Sequence, residues 1–188
     1  FSSCKLCVNS GKNSLKKMAK IIAIRHAKSD WSSYGSDFDR SLNKRGYKSC
    51  EVISQELKKR IKKAPDKFLV SPAKRAQLTH QEIFSSWYND YNLDKFTVIE
   101  NSLYSGSNKV VLESIKDHLS GSDISIIIGH NPILNELLFD ISKKGQNLIP
   151  FNLVTAGCVI IEYQSNKYDL TNFNDGLILE YLYPRQFF

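Results

Sequence analysis

The feature that most constrains the fold is a repeated alternation between short apolar runs and amphipathic stretches. The runs at residues 21–24 and 126–128 are continuously apolar, which is typical of strands buried on both faces of a parallel sheet. Between such runs, apolar residues recur at helical spacing, as they do across residues 47–61. The alternation predicts an α/β protein, specifically a three-layer α/β/α sandwich around a mostly parallel central sheet.

The same patterns place the individual elements. The predicted strands cover residues 20–25, 68–70, 96–99, 124–128, 157–163 and 176–183. The predicted helices cover residues 43–61, 71–87, 110–119 and 132–141, with Asn43 as a capping residue and Pro132 in a first helical turn. A body of this size suits a single domain, here residues 18–188. We expect residues 1–17 to be a disordered N-terminal extension, because they are rich in Ser, Lys and Asn and show no apolar periodicity.

The distribution of charge indicates which binding partners the protein suits, and the cysteines indicate its cellular compartment. The formal net charge is +7, but residues 1–17 hold four lysines and no acid, and the remaining residues carry 22 basic and 19 acidic side chains. A mildly positive body suits an anionic substrate and not a nucleic-acid duplex. No apolar stretch approaches the roughly 18 residues of a membrane span. Cys50 and Cys158 fall in predicted element interiors, and Cys4 and Cys7 lack a second pair. We therefore expect a cytoplasmic monomer with reduced thiols.

Unusual polar residues follow three of the predicted strands. The first strand ends in Arg25 and His26, the second is followed by Ser71 and Arg75, and the fourth is followed by His130. Ligands of open α/β sheets bind beyond the carboxyl ends of the strands. The two arginines and two histidines include no carboxylate, so they make a poor metal site and a good anion site. Burying two arginines with no anion nearby would be costly.

A phosphoryl group is the anion that gives each of these residues a task. Guanidinium groups match phosphate oxygens with a fixed fork of donors, and helix N-termini after His130 and Ser71 add backbone N–H donors. A neutral imidazole is a nucleophile at physiological pH. One histidine would attack phosphorus, and the second, protonated, would hold the equatorial oxygens with the arginines.

Four blocks of the sequence also resemble a known family in their residues and in their order. Residues 25–28 (R-H-A-K) resemble the R-H-G or R-H-A signature of the histidine phosphatase, or phosphoglycerate mutase-like, superfamily. Residues 39–46 resemble its D-x-P-L-T-x-x-G helix entry, residues 70–79 its S-P-x-x-R-A-x-x-T block, and residues 128–132 its distal G-H block. The resemblance extends over nearly the whole body and is greatest to the short SixA-type branch of phosphohistidine phosphatases.

The resemblance implies a role for each site residue. His26 would be the nucleophile that forms a phosphohistidine intermediate, and Arg25, Arg75 and His130 would bind the phosphoryl group. Asn131 joins the expected substrate-binding set. A carboxyl group that protonates the leaving oxygen would be Glu100 or Asp30. No metal and no organic cofactor are implied.

Two departures from the family pattern bear on the backbone. Ala27 replaces the glycine of the wider motif, so this residue cannot freely adopt a positive φ. Ser41 and Asn43 replace the usual Pro and Thr, although Asn43 keeps a side chain that can cap a helix.

Three functions fit these residues. The first is a metal-independent phosphatase of phosphohistidine in proteins, because the resemblance implies an open site: the stretch between Arg75 and His130 is short, whereas mutases and acid phosphatases of the superfamily carry larger insertions there that cover the site. The alternative substrate is a small phosphoester, which needs an acid near the leaving oxygen. A non-catalytic phosphate-binding module is the third. We expect Arg40 to contact either substrate or an acid such as Asp37, and expect His80 and His118 to be ordinary surface or boundary residues.

Overall fold

A six-stranded sheet forms the centre of the protein. The computed structural model describes residues 18–32, 35–88, 92–143, 152–163 and 174–188. The predicted extension at residues 1–17 lies outside the described residues. The strands are β1 (Ala19–Arg25), β2 (Lys67–Val70), β3 (Thr97–Ile99), β4 (Ile124–Gly129), β5 (Cys158–Tyr163) and β6 (Leu177–Leu182). Their order across the sheet is β3-β2-β4-β1-β5-β6.

Strand direction divides the sheet in two. Strands β3, β2, β4 and β1 run parallel to one another, whereas β5 is antiparallel to both β1 and β6. Parallel neighbours need a crossover connection, and the alternation of strands and helices in the first two thirds of the sequence supplies one. The mostly parallel sheet predicted from sequence is confirmed.

Helices cover both faces of the sheet. They are α1 (Lys44–Arg60), α2 (Lys74–Phe84), α3 (Ser102–Ser105), α4 (Asn108–Leu119) and α5 (Ile133–Ile141). Apolar residues of α1 and α2 pack in one buried cluster with one face of the sheet, and those of α4 and α5 pack in a second cluster with the other face. The predicted three-layer α/β/α sandwich is therefore confirmed.

The differences from the predicted elements are local. Helix α2 begins at Lys74, three residues later than predicted, and the short helix α3 was not predicted. The loop after β1 contains a short 3₁₀ turn at Asp37–Asp39, which was not predicted either. His80 is only 4% exposed and its ring packs against Phe68, so its prediction as a surface or boundary residue was wrong. Burial lowers the pKa of His80 to about 4.

Two sequence expectations about membranes and cysteines bear on this fold. In the part of the chain that the structure describes, no helix has both the length and the apolar character to cross a bilayer. Cys50 and Cys158 are free thiols, and both are buried. Burial raises the pKa of the Cys50 thiol to about 12, so Cys50 packs as a small apolar side chain.

The start of α1 is set by a cap and a glycine. The Asn43 side chain accepts a hydrogen bond of 2.9 Å from the Gly46 amide, which satisfies a first-turn donor. A Cβ placed on Gly46 would lie 2.2 Å from the backbone oxygen of Lys28, two residues after His26. The glycine therefore permits α1 to contact the segment that carries His26.

We predict that Gly46→Ala lowers the free energy of unfolding by about 1–3 kcal/mol, because overpacking against backbone forces main-chain shifts. Gly35→Ala is the matched control, since a Cβ there meets nothing within 4 Å, and it should change stability by less than about 0.5 kcal/mol. Urea unfolding of the two variants measures this. Equal free energies of unfolding for the two variants would show that the backbone at Lys28 shifts to accommodate the added methyl group without cost.

Candidate active site

The register of the parallel strands brings the two candidate histidines together. Arg25 pairs with Gly129 across β1 and β4, and the His26 amide donates to the Gly129 carbonyl at 3.0 Å. The residue after each strand is thus a histidine. The two imidazole centroids of His26 and His130 lie 4.7 Å apart, and each residue is 8% exposed.

The contacts of His26 leave one ring nitrogen free. Its Nδ1 lies 2.8 Å from the carbonyl oxygen of Ala27, and a carbonyl only accepts, so Nδ1 carries the proton in the neutral ring. The lone pair is then on Nε2. Burial, together with the charges of Arg75, Arg25 and Arg40, lowers the pKa of His26 to about 4 despite the Ala27 hydrogen bond. His26 is therefore neutral at pH 7, which is the state that a nucleophilic imidazole requires.

His130 is held by the end of the neighbouring strand. Its Nε2 lies 2.8 Å from Ser71 Oγ, and the Ser71 amide donates to the Ile128 carbonyl at 2.9 Å. Burial lowers the pKa of His130 to about 3, and His26 and Arg75 contribute in the same direction. The ring is thus neutral without an anion, whereas the sequence argument expected it protonated. A bound phosphoryl dianion would favour the protonated form.

The two predicted arginines reach the same region from different elements. Arg75 lies in the first turn of α2 and is 5% exposed, and its Nη1 donates to the backbone oxygen of Asp37 at 2.6 Å. Arg25 ends β1, and its Nη1 donates to the carbonyl of Leu153 at 2.7 Å. Each guanidinium is fixed by a backbone carbonyl, so its remaining donors are oriented before any ligand arrives.

A carboxylate that sequence reasoning did not place in the site lies against Arg75. Asp37 Oδ2 is 2.9 Å from Arg75 Nη2, and Asp37 Oδ1 is 2.5 Å from Arg40 Nη2. The hydroxyl of Tyr104 donates to Asp37 at 3.2 Å, and the Tyr104 ring meets His130 edge-on. Asp37 adds a carboxylate to the four residues considered from sequence, because the loop after β1 folds back onto α2.

Arg40 is a third arginine of the site and, like Arg75, it is buried. It is 8% exposed, donates to Ser29 Oγ at 2.8 Å and lies 3.7 Å from the Trp31 ring centre. Its ion pair with Asp37 was one of the two outcomes expected from sequence. Its charge also lowers the pKa of His26. The sequence signal was an arginine two residues before the helix-entry leucine.

The arginines retain donors without acceptors. Within the described ranges, the Nε atoms of Arg25, Arg40 and Arg75 are buried and have no hydrogen-bond partner. An unsatisfied buried donor costs about 1–3 kcal/mol. Three such donors on arginines whose charges all act on His26 indicate a site built for an anion.

Asn131, predicted from sequence to bind substrate, contacts the segment around Leu153. Its Nδ2 donates to the Leu153 carbonyl at 3.0 Å and to Asn152 Oδ1. The amide donors are therefore committed to the segment that also accepts the Arg25 hydrogen bond. These contacts hold Asn131 against that segment, and its place in the substrate-binding set stays a prediction.

The two candidate acids are turned to other partners. Glu100 accepts from the Ser102 amide at 2.8 Å and from Ser114 Oγ at 2.5 Å, so its carboxylate faces α3 and α4. Asp30 accepts from the amide and hydroxyl of Ser32. For Glu100 the hydrogen bonds outweigh burial and lower the pKa, and the Ser32 bonds lower that of Asp30. Neither group is poised to donate a proton.

The backbone at Ala27 suits alanine. Within the described residues Ala156 is the one non-glycine residue with a positive φ, 57°, so the φ of Ala27 is negative and alanine fits there without strain. The Ala27 amide donates to Thr79 Oγ1 at 2.9 Å. Among the described residues, no three His, Cys, Asp or Glu side chains are grouped to hold a metal ion.

Comparison with known proteins agrees with this geometry. The model of the histidine phosphatase superfamily (branch 1) matches residues 21–95. Phosphoserine phosphatase 1 of Hydrogenobacter thermophilus is 32% identical over 93 residues, which is 47% of this chain and 43% of that protein. The chain thus spans less than half the length of this curated relative.

Solved structures extend the likeness to most of the fold. The protein histidine phosphatase SixA complexed with tungstate has a TM-score of 0.72 at 20% identity, over 89% of this chain and 98% of that one. A SixA-type protein from Agrobacterium tumefaciens has a TM-score of 0.67 at 24% identity, over 87% and 97%. The resemblance to the histidine phosphatase superfamily is thus confirmed over residues 21–95, and the chain shares its fold with the SixA structures.

We predict that the His26 imidazole titrates near pH 4 and not near 6.5 in the free protein. Because this pKa is lowered, the ring stays neutral as pH falls through 6 and gains its proton only near pH 4. Saturating inorganic phosphate should raise the midpoint of His130 by about one pH unit or more, since a bound anion favours imidazolium. Two-dimensional NMR of the imidazoles follows both midpoints. Unchanged midpoints with phosphate would place the anion elsewhere.

We also predict that Asp37→Asn tightens the binding of inorganic phosphate about three- to tenfold, because the Asp37 carboxylate competes for Arg75 and repels an incoming anion. Competitive inhibition or calorimetry measures the change. Asp39→Asn is the matched control, since Asp39 bonds only to Ser36 in the described residues. Weaker binding by Asp37→Asn would mean that the carboxylate chiefly orients Arg75.

Proposed function

We propose that this protein is a metal-independent phosphatase that removes the phosphoryl group from phosphohistidine side chains of proteins through a covalent intermediate on His26. The observation that carries the proposal is the neutral His26 ring, which lies 4.7 Å from that of His130 among three arginines. The family match and the phosphatase relatives support the phosphatase class.

The first step is an in-line displacement at phosphorus. The lone pair of His26 Nε2 forms a new P–N bond, while the P–N bond to the substrate imidazole breaks. A proton on the second nitrogen of the substrate ring lets that ring leave as neutral imidazole. Arg25 and Arg75, with His130 once it is protonated, balance the charge on the phosphoryl oxygens.

The second step returns the enzyme to its starting state. Water attacks phosphorus, the His26 P–N bond breaks, and inorganic phosphate leaves. The Nδ1 hydrogen bond to the Ala27 carbonyl keeps the imidazole oriented through both steps and stabilises the cationic ring of the phosphorylated intermediate.

Substrate preference follows from the carboxyl groups near the site. Hydrogen bonds from Arg40 and the charge of Arg75 outweigh burial and lower the pKa of Asp37, and the pKa values of Glu100 and Asp30 are lowered as well. A phosphoester needs a proton on its leaving oxygen, and none of these three groups holds one at neutral pH. A labile P–N bond with an imidazole leaving group is therefore favoured over an ester.

We predict that a phosphohistidine peptide loses phosphate in the presence of EDTA and that His26→Ala lowers the rate by at least about a thousandfold. ³¹P NMR follows the loss of the P–N signal. His118→Ala, on the exposed side of α4, is the matched control and should retain full activity. Activity retained by His26→Ala would refute the covalent intermediate.

A small phosphoester is the second candidate, supported by the phosphoserine phosphatase relative. Phosphohistidine, phosphoserine and sugar-phosphate substrates compared side by side distinguish the two. In our proposal Glu100→Gln and Asp30→Asn leave the turnover of phosphohistidine unchanged. A selective loss of ester turnover in either variant, with esters as the better substrates, would favour the second candidate. Phosphate binding with no phosphoenzyme from any donor would indicate a non-catalytic module.

A further inference from the structure

A basic cavity adjoins the phosphoryl site. It has a volume of about 330 Å³, and its lining includes the three cationic side chains of Lys28, Arg45 and Arg185 and no acidic one. Val154 and Pro184 add apolar surface to the lining. This cavity is separate from the four residues of the phosphoryl site, none of which lines it.

Shared backbone connects the cavity to the nucleophile. Lys28 follows His26 by two residues, so their Cα atoms are at most about 7 Å apart. Thr155, also in the lining, precedes Ala156, whose amide donates to the carbonyls of Arg25 at 3.0 Å and His26 at 3.2 Å. A ligand group in the cavity and a phosphoryl group on His26 can therefore belong to one peptide and be separated by only a few of its residues.

The cations of the cavity are uncompensated. Within the described ranges, the side chains of Lys28, Arg45 and Arg185 form no ion pair or hydrogen bond, whereas Arg60 pairs with both Glu56 and Glu180. Arg45 also lies in the first turn of α1, which contains no acidic residue. The helix dipole there adds positive potential where an acidic side chain would ordinarily offset it.

The cavity has the dimensions of a side-chain pocket. Its volume is at the lower end of the range of about 300–1,000 Å³ for small-molecule sites. The apolar surface of Val154 and Pro184 suits the methylene groups of an Asp or Glu side chain, and the three cations suit its carboxylate.

The geometry points to a second subsite, in which this cavity binds the carboxylate of an acidic side chain of the phosphorylated protein while the phosphoryl group lies at His26. The inference rests on the proposed function, and it adds a specificity determinant to it. An extended chain advances about 3.3 Å per residue. The acidic residue would therefore lie about two to four positions from the phosphorylated histidine.

Two peptides and two double variants test the subsite. Both peptides carry a central phosphohistidine. The residues two, three and four positions before and after it are all Glu in one peptide and all Gln in the other. Arg45→Gln combined with Arg185→Gln removes two of the three positive charges of the cavity. Lys109→Gln combined with Lys116→Gln removes the same charge from α4, where both lysines are exposed on the other face of the sheet.

We expect the cavity variant to raise KM for the Glu peptide about fivefold and to leave its kcat unchanged. KM for the Gln peptide and for free phosphohistidine should not change, and the control variant should resemble the unmodified protein. The Glu preference should shrink in 0.5 M NaCl, because salt screens the contact. Equal KM values for the two peptides with the unmodified protein, or an equal loss in the control variant, would overturn the subsite.

Failure of the subsite is separable from failure of the proposed function. If no phosphohistidine substrate is turned over, the proposed function fails, and the affinity of the His26→Ala protein for the two peptides still tests the subsite. Tighter binding of the Glu peptide that depends on Arg45 and Arg185 supports it. Equal binding of both peptides overturns the subsite. It is also overturned if the double variant weakens the binding of a bisphosphorylated small molecule but not the binding of the Glu peptide.

Discussion

The parallel pairing of β2, β4 and β1 is the constraint on which the site depends. Gly129 of β4 accepts from the amide of His26, and Ile128 accepts from the amide of Ser71. The residue that follows each of three adjacent strands therefore lies at one edge of the sheet. A slip of one residue in either pairing would reverse which face each side chain occupies and would separate the His26 and His130 rings.

The energetic cost of this arrangement is concentrated in its charges. Arg40 and Arg75 are 8% and 5% exposed, and one half-exposed carboxylate, that of Asp37, neutralises part of their charge. Buried guanidinium donors without acceptors oppose folding. An arriving phosphoryl group supplies the missing acceptors, and it also favours the protonation of His130 that burial disfavours. Anion binding and proton uptake are coupled in such a site, because each removes the electrostatic penalty of the other.

Periodicity predicted the strands and long helices because those elements bury continuous or amphipathic runs. It did not predict α3 or the 3₁₀ turn at Asp37–Asp39, since four or fewer residues carry no period. The meeting of Arg25, His26, Arg75 and His130 followed from their places after strands. The contact of Asp37 with Arg75 and the partners of Asn131 and Glu100 did not, because each depends on how a loop or a short helix folds against a distant element. Asp37 meets Arg75 only when the loop after β1 folds onto α2.

The committed carboxylates also bear on what can leave from phosphorus. Asp37 is held by two arginines and a tyrosine, Glu100 by Ser102 and Ser114, and Asp30 by Ser32. All of these partners donate, so they favour the ionised form. In the function that we propose, a site whose nearby carboxyl groups are ionised would stabilise the phosphoryl transfer without protonating the departing atom. Such a site suits a leaving group that can bring its own proton, and imidazole, with a second ring nitrogen, is one.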